Sequence, residues 1–91
     1  MDCETTGLSF IKDRMVGLCI TACRPMQGFY LPVRHVIGNN LPLDEVVEIA
    51  QYAISNKKTM FFNRNYDTTM LELDGCYIPY NADMHDVQVM C

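Results

Sequence analysis

Apolar and polar positions along the chain change period three times, and each change marks an element. Met15 to Cys23 (MVGLCITAC) is an unbroken apolar run rich in strand formers, as a buried strand requires. Arg24-Pro25-Met26-Gln27 supplies turn chemistry, and Gly28 to Val33 (GFYLPV) follows as the second arm of a hairpin. Arg34 to Pro42 contains Gly38-Asn39-Asn40 and reads as a loop. From Leu43 the period becomes helical: Leu43, Val46, Val47, Ala50, Ala53 and Ile54 fall on one face, with Asp44, Glu45, Glu48 and Gln51 on the other. Acidic residues open this helix and Asn56-Lys57-Lys58 close it, both favourable to its dipole. Thr59 to Phe62 is a short apolar strand. Asn63 to Leu73 is a turn into a second helix, stopped by Asp74-Gly75. Tyr77 to Ala82 is a connection, and Asp86 to Cys91 has the look of another helix beginning.

Strand, hairpin, helix, strand, helix is an α/β layout with a mixed sheet, in a single domain spanning residues 1–91. Because Asp2 stands where a strand should be ending, the domain is expected to be partial, its sheet incomplete at both ends. Tyr30, Phe61 and Phe62 are expected to pack in the sheet, and the methionines to fill core and loop gaps.

Composition adds limits more than content. Half of the 91 residues are apolar and a fifth charged, so the chain is not a disordered one. A net charge of −4 argues against a generic nucleic-acid-binding module, but not against an enzyme that meets nucleic acid through metal ions. The five cysteines include no C-x-x-C pair, and reduced thiols in a cytoplasmic protein are expected. Cys19 and Cys23, four apart, lack two further zinc ligands nearby, since His35 and His85 are isolated. No stretch approaches the roughly 20 apolar residues of a membrane span, so no membrane partner is expected.

Two segments carry candidate chemistry. Asp2 and Glu4 lie two apart on a strand and so share a face, and paired carboxylates repel unless a cation lies between them. Hard divalent ions such as Mg²⁺ or Mn²⁺ prefer such oxygen ligands. Asn63-Arg64-Asn65-Tyr66-Asp67 brings a third carboxylate after another strand. Taken alone, Asp2 and Glu4 fit a solvated turn, Asp67 a helix-start carboxylate and Asn63 a loop residue.

In combination these segments resemble a known family. Asp2-Cys3-Glu4-Thr5-Thr6-Gly7-Leu8 is similar to the first motif (D-x-E-T-T-G-L) of DEDD-type 3′–5′ exonucleases, whose fold is ribonuclease-H-like. Asn63 with Asp67 is similar to their second motif, N-x-x-x-D. KDRMVGLCITA, FYLPVRH and GNNLPLDEVVEIA resemble the proofreading domain of family A DNA polymerases, bacterial polymerase I and phage relatives. The resemblance implies that Asp2 and Glu4 bind the metal holding the attacking water, and that Asp2 with Asp67 helps hold a second. Such ions, about 4 Å apart, clamp the scissile phosphate. It further implies that Thr5 hydrogen-bonds near the 3′-terminal nucleotide, Leu8 wedges against the terminal bases and Asn63 positions the penultimate nucleotide. The implied partners are a single-stranded DNA 3′ end and a polymerase domain in the same parent chain. The family's third motif, Y-x-x-x-D, has no counterpart here: Tyr80 to Asp83 and Asp83 to Asp86 have the wrong spacing, and neither aspartate is assigned to the metals. Weak or no turnover is therefore expected of these residues alone. An RNA-trimming DEDD exonuclease and a non-catalytic remnant are the alternatives. Arg34-His35 reads as a solvated loop and His85 as a polar loop residue.

Overall fold

The computed structural model describes residues 1–7, 9, 11–23 and 26–86. Strand β1 (Asp2–Thr5) pairs antiparallel with β2 (Met15–Cys23), and β2 with β3 (Met26–Pro32), so β2 is the central strand. Helix α1 (Leu43–Asn56), strand β4 (Thr59–Phe61), helix α2 (Arg64–Leu73) and strand β5 (Met84–Asp86) complete the order. β4 and β5 pair in parallel, with α2 in the connection between them. The strands thus hydrogen-bond into two separate sheets, a three-stranded antiparallel and a two-stranded parallel one, rather than into the one mixed sheet expected. The sheets approach where the Met1 ammonium donates to the Met60 carbonyl at 2.7 Å.

The core gathers Cys3, Met15, Leu18, Val33, Val46, Ala50, Ile54, Phe61, Met70, Leu71 and Cys76. Met15 and Leu18 are both fully buried although three residues apart, a spacing that regular alternation sends to opposite faces. The register explains this. Glu4 pairs with Gly17 but Thr5 with Met15, so Val16 is skipped and the alternation re-phases.

Helix α1 buries Val46, Ala50 and Ile54 and half-buries Leu43, Val47 and Ala53, the face its spacing predicted. Lys57 caps its end rather than lying in the last turn. Asn63 is the N-cap of α2, its side chain accepting from the Tyr66 N–H, and Gly75 past the helix end takes a left-handed φ of 97° that suits glycine.

Three expectations are corrected. Asp86 ends a strand instead of opening a helix, because Met84–Asp86 find hydrogen-bond partners along Thr59–Phe61, and residues 87–91 lie outside the described ones. Met26 and Gln27 belong to β3 rather than to the turn, while Arg24 and Pro25 are not among the described residues. Of the three aromatics expected to pack in the sheet, only Phe61 is buried: Phe62 is 60 % and Tyr30 43 % exposed. Among the described residues no helix is long and apolar enough to cross a membrane.

Candidate functional site

The candidate site lies at the seam between β1 and the first turns of α2. The buried side of α2 consists of Asp67, Thr68, Met70 and Leu71, so a carboxylate occupies the apolar stripe of the helix. Asp67 is 1 % exposed. Its Oδ1 accepts from the Cys3 backbone N–H at 3.3 Å, and the Cys3 thiol donates weakly to its carbonyl at 3.7 Å. Its Oδ2 is buried and has no hydrogen-bond partner among the described residues. An orphan carboxylate oxygen in a protein interior is costly, and few native structures keep one without a use. Burial pushes the Asp67 carboxyl up to about 6; the Cys3 and Asn63 backbone groups pull the other way, and the Asp2 charge adds to the rise.

Asp2 and Glu4 occupy alternate positions of β1, with Cys3 between them facing the core. Asp2 is half-buried and near enough for its charge to act on Asp67, whereas Glu4 is exposed and acts on Cys19 and Tyr30 across the sheet. Asp67 thus lies within reach of the Asp2 charge, with Glu4 one step further along the strand. Among the described residues no three acidic, histidine or cysteine side chains converge as a ready-made metal cage. The carboxylates at the seam offer oxygen donors, the type hard divalent cations take, and Oδ2 of Asp67 is not engaged in a hydrogen bond among the described residues.

The remaining expected site residues are engaged locally. The hydroxyls of Thr5 and Tyr66 meet each other over the Gly7 carbonyl, which lies 2.8 Å from Thr5 Oγ1 and 2.7 Å from Tyr66 Oη. Two hydroxyls have two protons for three contacts, so the group is a shared network rather than three independent bonds. Asn63 Oδ1 is taken up by the Tyr66 N–H at 3.4 Å. Leu8 lies outside the described residues.

Two residues that sequence reasoning passed over hold the site in place. Tyr66 joins α2 to the segment after β1, one residue before Asp67. Asp13 orders the same segment from the other side: Oδ2 accepts from the Ser9 N–H and Oδ1 from the Thr6 hydroxyl, each at 2.9 Å. These bonds, the Ser9 one foremost, hold its carboxyl below the usual range. A Cβ on Gly7 would lie 2.6 Å from Asp13 Oδ2 and would push that carboxylate from its place. The one available signal for Tyr66 was its place beside Asp67. At the N-terminus of α2, the Arg64 N–H donates to Asp86 Oδ2 at 3.3 Å, a role for Asp86 in satisfying a free helix donor.

Two of the thiols are buried in the core. Cys3 is buried and its thiol pushed well above the ordinary range by that burial, and Cys76 is pushed up to about 11 for the same reason. Arg34, read from sequence as solvated, instead makes a two-pronged ion pair with Asp74, whose side chain is only 3 % exposed, at 2.6 and 2.9 Å and donates to the Met15 carbonyl at 2.8 Å. His85 stands on β5, bonded to Asp83 at 2.7 Å. No protein-family model, curated protein or solved structure matches the chain.

Proposed function

We propose that this domain is a metal-dependent 3′–5′ exonuclease of the proofreading kind, with a ribonuclease-H-like plan, acting on single-stranded DNA 3′ ends. The observation that carries the reading is Asp67: a carboxylate on the buried stripe of α2, one oxygen orphaned, set against the half-buried Asp2 of β1. Such an arrangement lowers stability and is retained where the carboxylate has work to do. The motif resemblance at Asp2–Gly7 and at Asn63 with Asp67 supports the same assignment. So does the strand arrangement: β3, β2 and β1 in order, with Met1, just before β1, bonded to Met60 of β4, and β5 parallel to β4.

In this reading Asp2 and Asp67 hold the divalent ions, Mg²⁺ or Mn²⁺, with Glu4 contributing from the same face as Asp2. When bound, the ions neutralise the phosphate and lower the pKa of water. The protein's own part is placement. The Cys3 N–H fixes one oxygen of Asp67, leaving the other free to coordinate. The Thr5–Tyr66–Gly7 network fixes where the chain leaves β1, so the strand end and the helix start stay in register. Thr5 and Asn63 would meet the terminal nucleotides from these anchored positions, and Leu8 would wedge against the terminal bases. A polymerase domain in the same parent chain is part of the proposal.

Mn²⁺ binding to the chain, read by the paramagnetic signal of the free ion, tests this. Binding is expected, and Asp2→Ala and Asp67→Ala should each abolish it, together with any Mn²⁺-dependent shortening of a 5′-labelled single strand. Equal Mn²⁺ affinity in all three proteins would remove the site assignment.

A further inference from the structure

The open face of the three-stranded sheet holds a second constellation beside the carboxylates. The register aligns Asp2, Cys19 and Tyr30 in one row across β1, β2 and β3, and Glu4, Gly17 and Pro32 in the next. Residues opposite one another in a row share a face, and adjacent strands are about 4.8 Å apart, so Tyr30 originates roughly 10 Å from Asp2.

The Tyr30 side chain leans out of its row over Gly17, whose missing side chain leaves the room: a Cβ there would collide with the Tyr30 ring and hydroxyl. It also leans toward Glu4, whose charge reaches it. The Tyr30 hydroxyl bonds His35 Nε2, and the two rings meet edge-on, centroids 5.5 Å apart at 72°. His35 is held in turn by Asn40, which accepts from its N–H at 2.8 Å and donates to its carbonyl at 2.9 Å. The preceding Arg34 is fixed by Asp74 and the Met15 carbonyl. Tyr30 and His35 are thus fixed by their neighbours while both stay exposed. Rigid, exposed aromatic groups in continuity with a catalytic face are what a sequence-tolerant strand-binding surface needs.

We propose that Tyr30 and His35 form a platform for single-stranded nucleic acid entering the carboxylate site. Tyr30 stacks a base. With its hydroxyl donating to Nε2, His35 keeps the Nδ1 proton to donate to a phosphate oxygen. The platform deepens the nuclease reading and rests on it for the direction of the strand, from Tyr30 over Gly17 toward Glu4 and Asp2. It involves no bond making, so its contribution is to binding and not to turnover.

The test is binding of a 5′-fluorescein oligothymidylate to the whole chain in Ca²⁺, read by anisotropy. Tyr30→Ala is expected to weaken binding about tenfold, the scale of one lost base stack. Tyr30→Phe, which keeps the ring and loses only the hydroxyl that orients His35, and His35→Ala should each weaken binding by less than Tyr30→Ala. The chain has two histidines, so imidazole NMR signals supply a readout without any variant: DNA should move the His35 resonances and leave those of His85 in place. Unchanged affinity in Tyr30→Ala with a silent His35 signal overturns the platform, and leaves the nuclease reading intact if Asp2→Ala still loses Mn²⁺. A platform that responds as described in a protein whose Mn²⁺ affinity ignores Asp2 and Asp67 means the face binds strands but does not cut them. No binding by the wild-type chain overturns the platform outright.

Discussion

The seam between β1 and α2 and the far half of the β2–β3 hairpin are built from similarly apolar sequence and have opposite surroundings. At the seam, Leu18 sits opposite Cys3, both buried, with α2 packed on β1. Past Cys19, which pairs with Asp2, β2 pairs among the described residues with β3 alone. There Thr21 and Ala22 are exposed and Phe29, opposite Ile20, is 55 % exposed. An apolar run reports strand propensity. Burial depends on what covers the run, and it differs between Leu18 and Phe29.

The largest effect should come from exchanging one apolar side chain on each side of that boundary. Leu18→Ala is expected to cost about 3–5 kcal/mol, the range for a fully buried leucine whose cavity cannot collapse. Phe29→Ala should cost less than about 1 kcal/mol, as for a surface position. Denaturant unfolding of the two variants checks this, and comparable losses would break the contrast.

Asp67 gives a second, pH-dependent contrast. Its carboxyl titrates near 6 in the folded protein against 3.8 for the ordinary group, so between those values the folded state holds more protons than the unfolded one. Stability then falls as pH rises through that window, by on the order of 3 kcal/mol once above pH 6, at about 1.4 kcal/mol per unit. Asp67→Asn keeps an acceptor for the Cys3 N–H and removes the charge. It should melt higher than wild type at pH 7.5, and the advantage should vanish below pH 4. A melting difference that ignores pH would mean that the buried carboxylate is not strained.

The smallest effect sharpens the seam itself. Tyr66→Phe removes a hydroxyl shared between Thr5 and Gly7 and should cost about 1 kcal/mol, the usual net value of such a bond. Amide hydrogen exchange should rise near Gly7 and in the first turn of α2, and stay unchanged in β3.

Much of this was legible in the sequence where period and chemistry agreed. The hairpin, α1 and α2 follow from apolar spacing, whereas Asn63, read as a loop residue, turned out to be the helix cap, the place expected for Asp67. β5 was not legible, because three residues, Met84-His85-Asp86, carry no pattern and form a strand only through pairing with β4. Nor was the skipped Val16, since a register shift is set by two strands together. In the site, the shared face of Asp2 and Glu4 follows from the period of a strand. The burial of Asp67 was half visible: it stands three and four residues before Met70 and Leu71, on their stripe, where an apolar residue would normally be. The Tyr30–His35 contact depends on an empty place at Gly17, which becomes visible only once the strands are side by side.

The third strand has a consequence for how the protein behaves in company. Among the described residues β3 pairs with one strand only, β2, the Leu41 N–H reaching its Pro32 carbonyl, and from Gln27 to Pro32 it carries no charged side chain. Natural sheets protect such borders with lysines, bulges or prolines, and here Pro32 guards only the last position. At high concentration the unguarded row of N–H and C=O groups favours self-association by strand addition. A lysine in place of the exposed Gln27 would give the strand the charge it lacks and leave the carboxylate seam untouched.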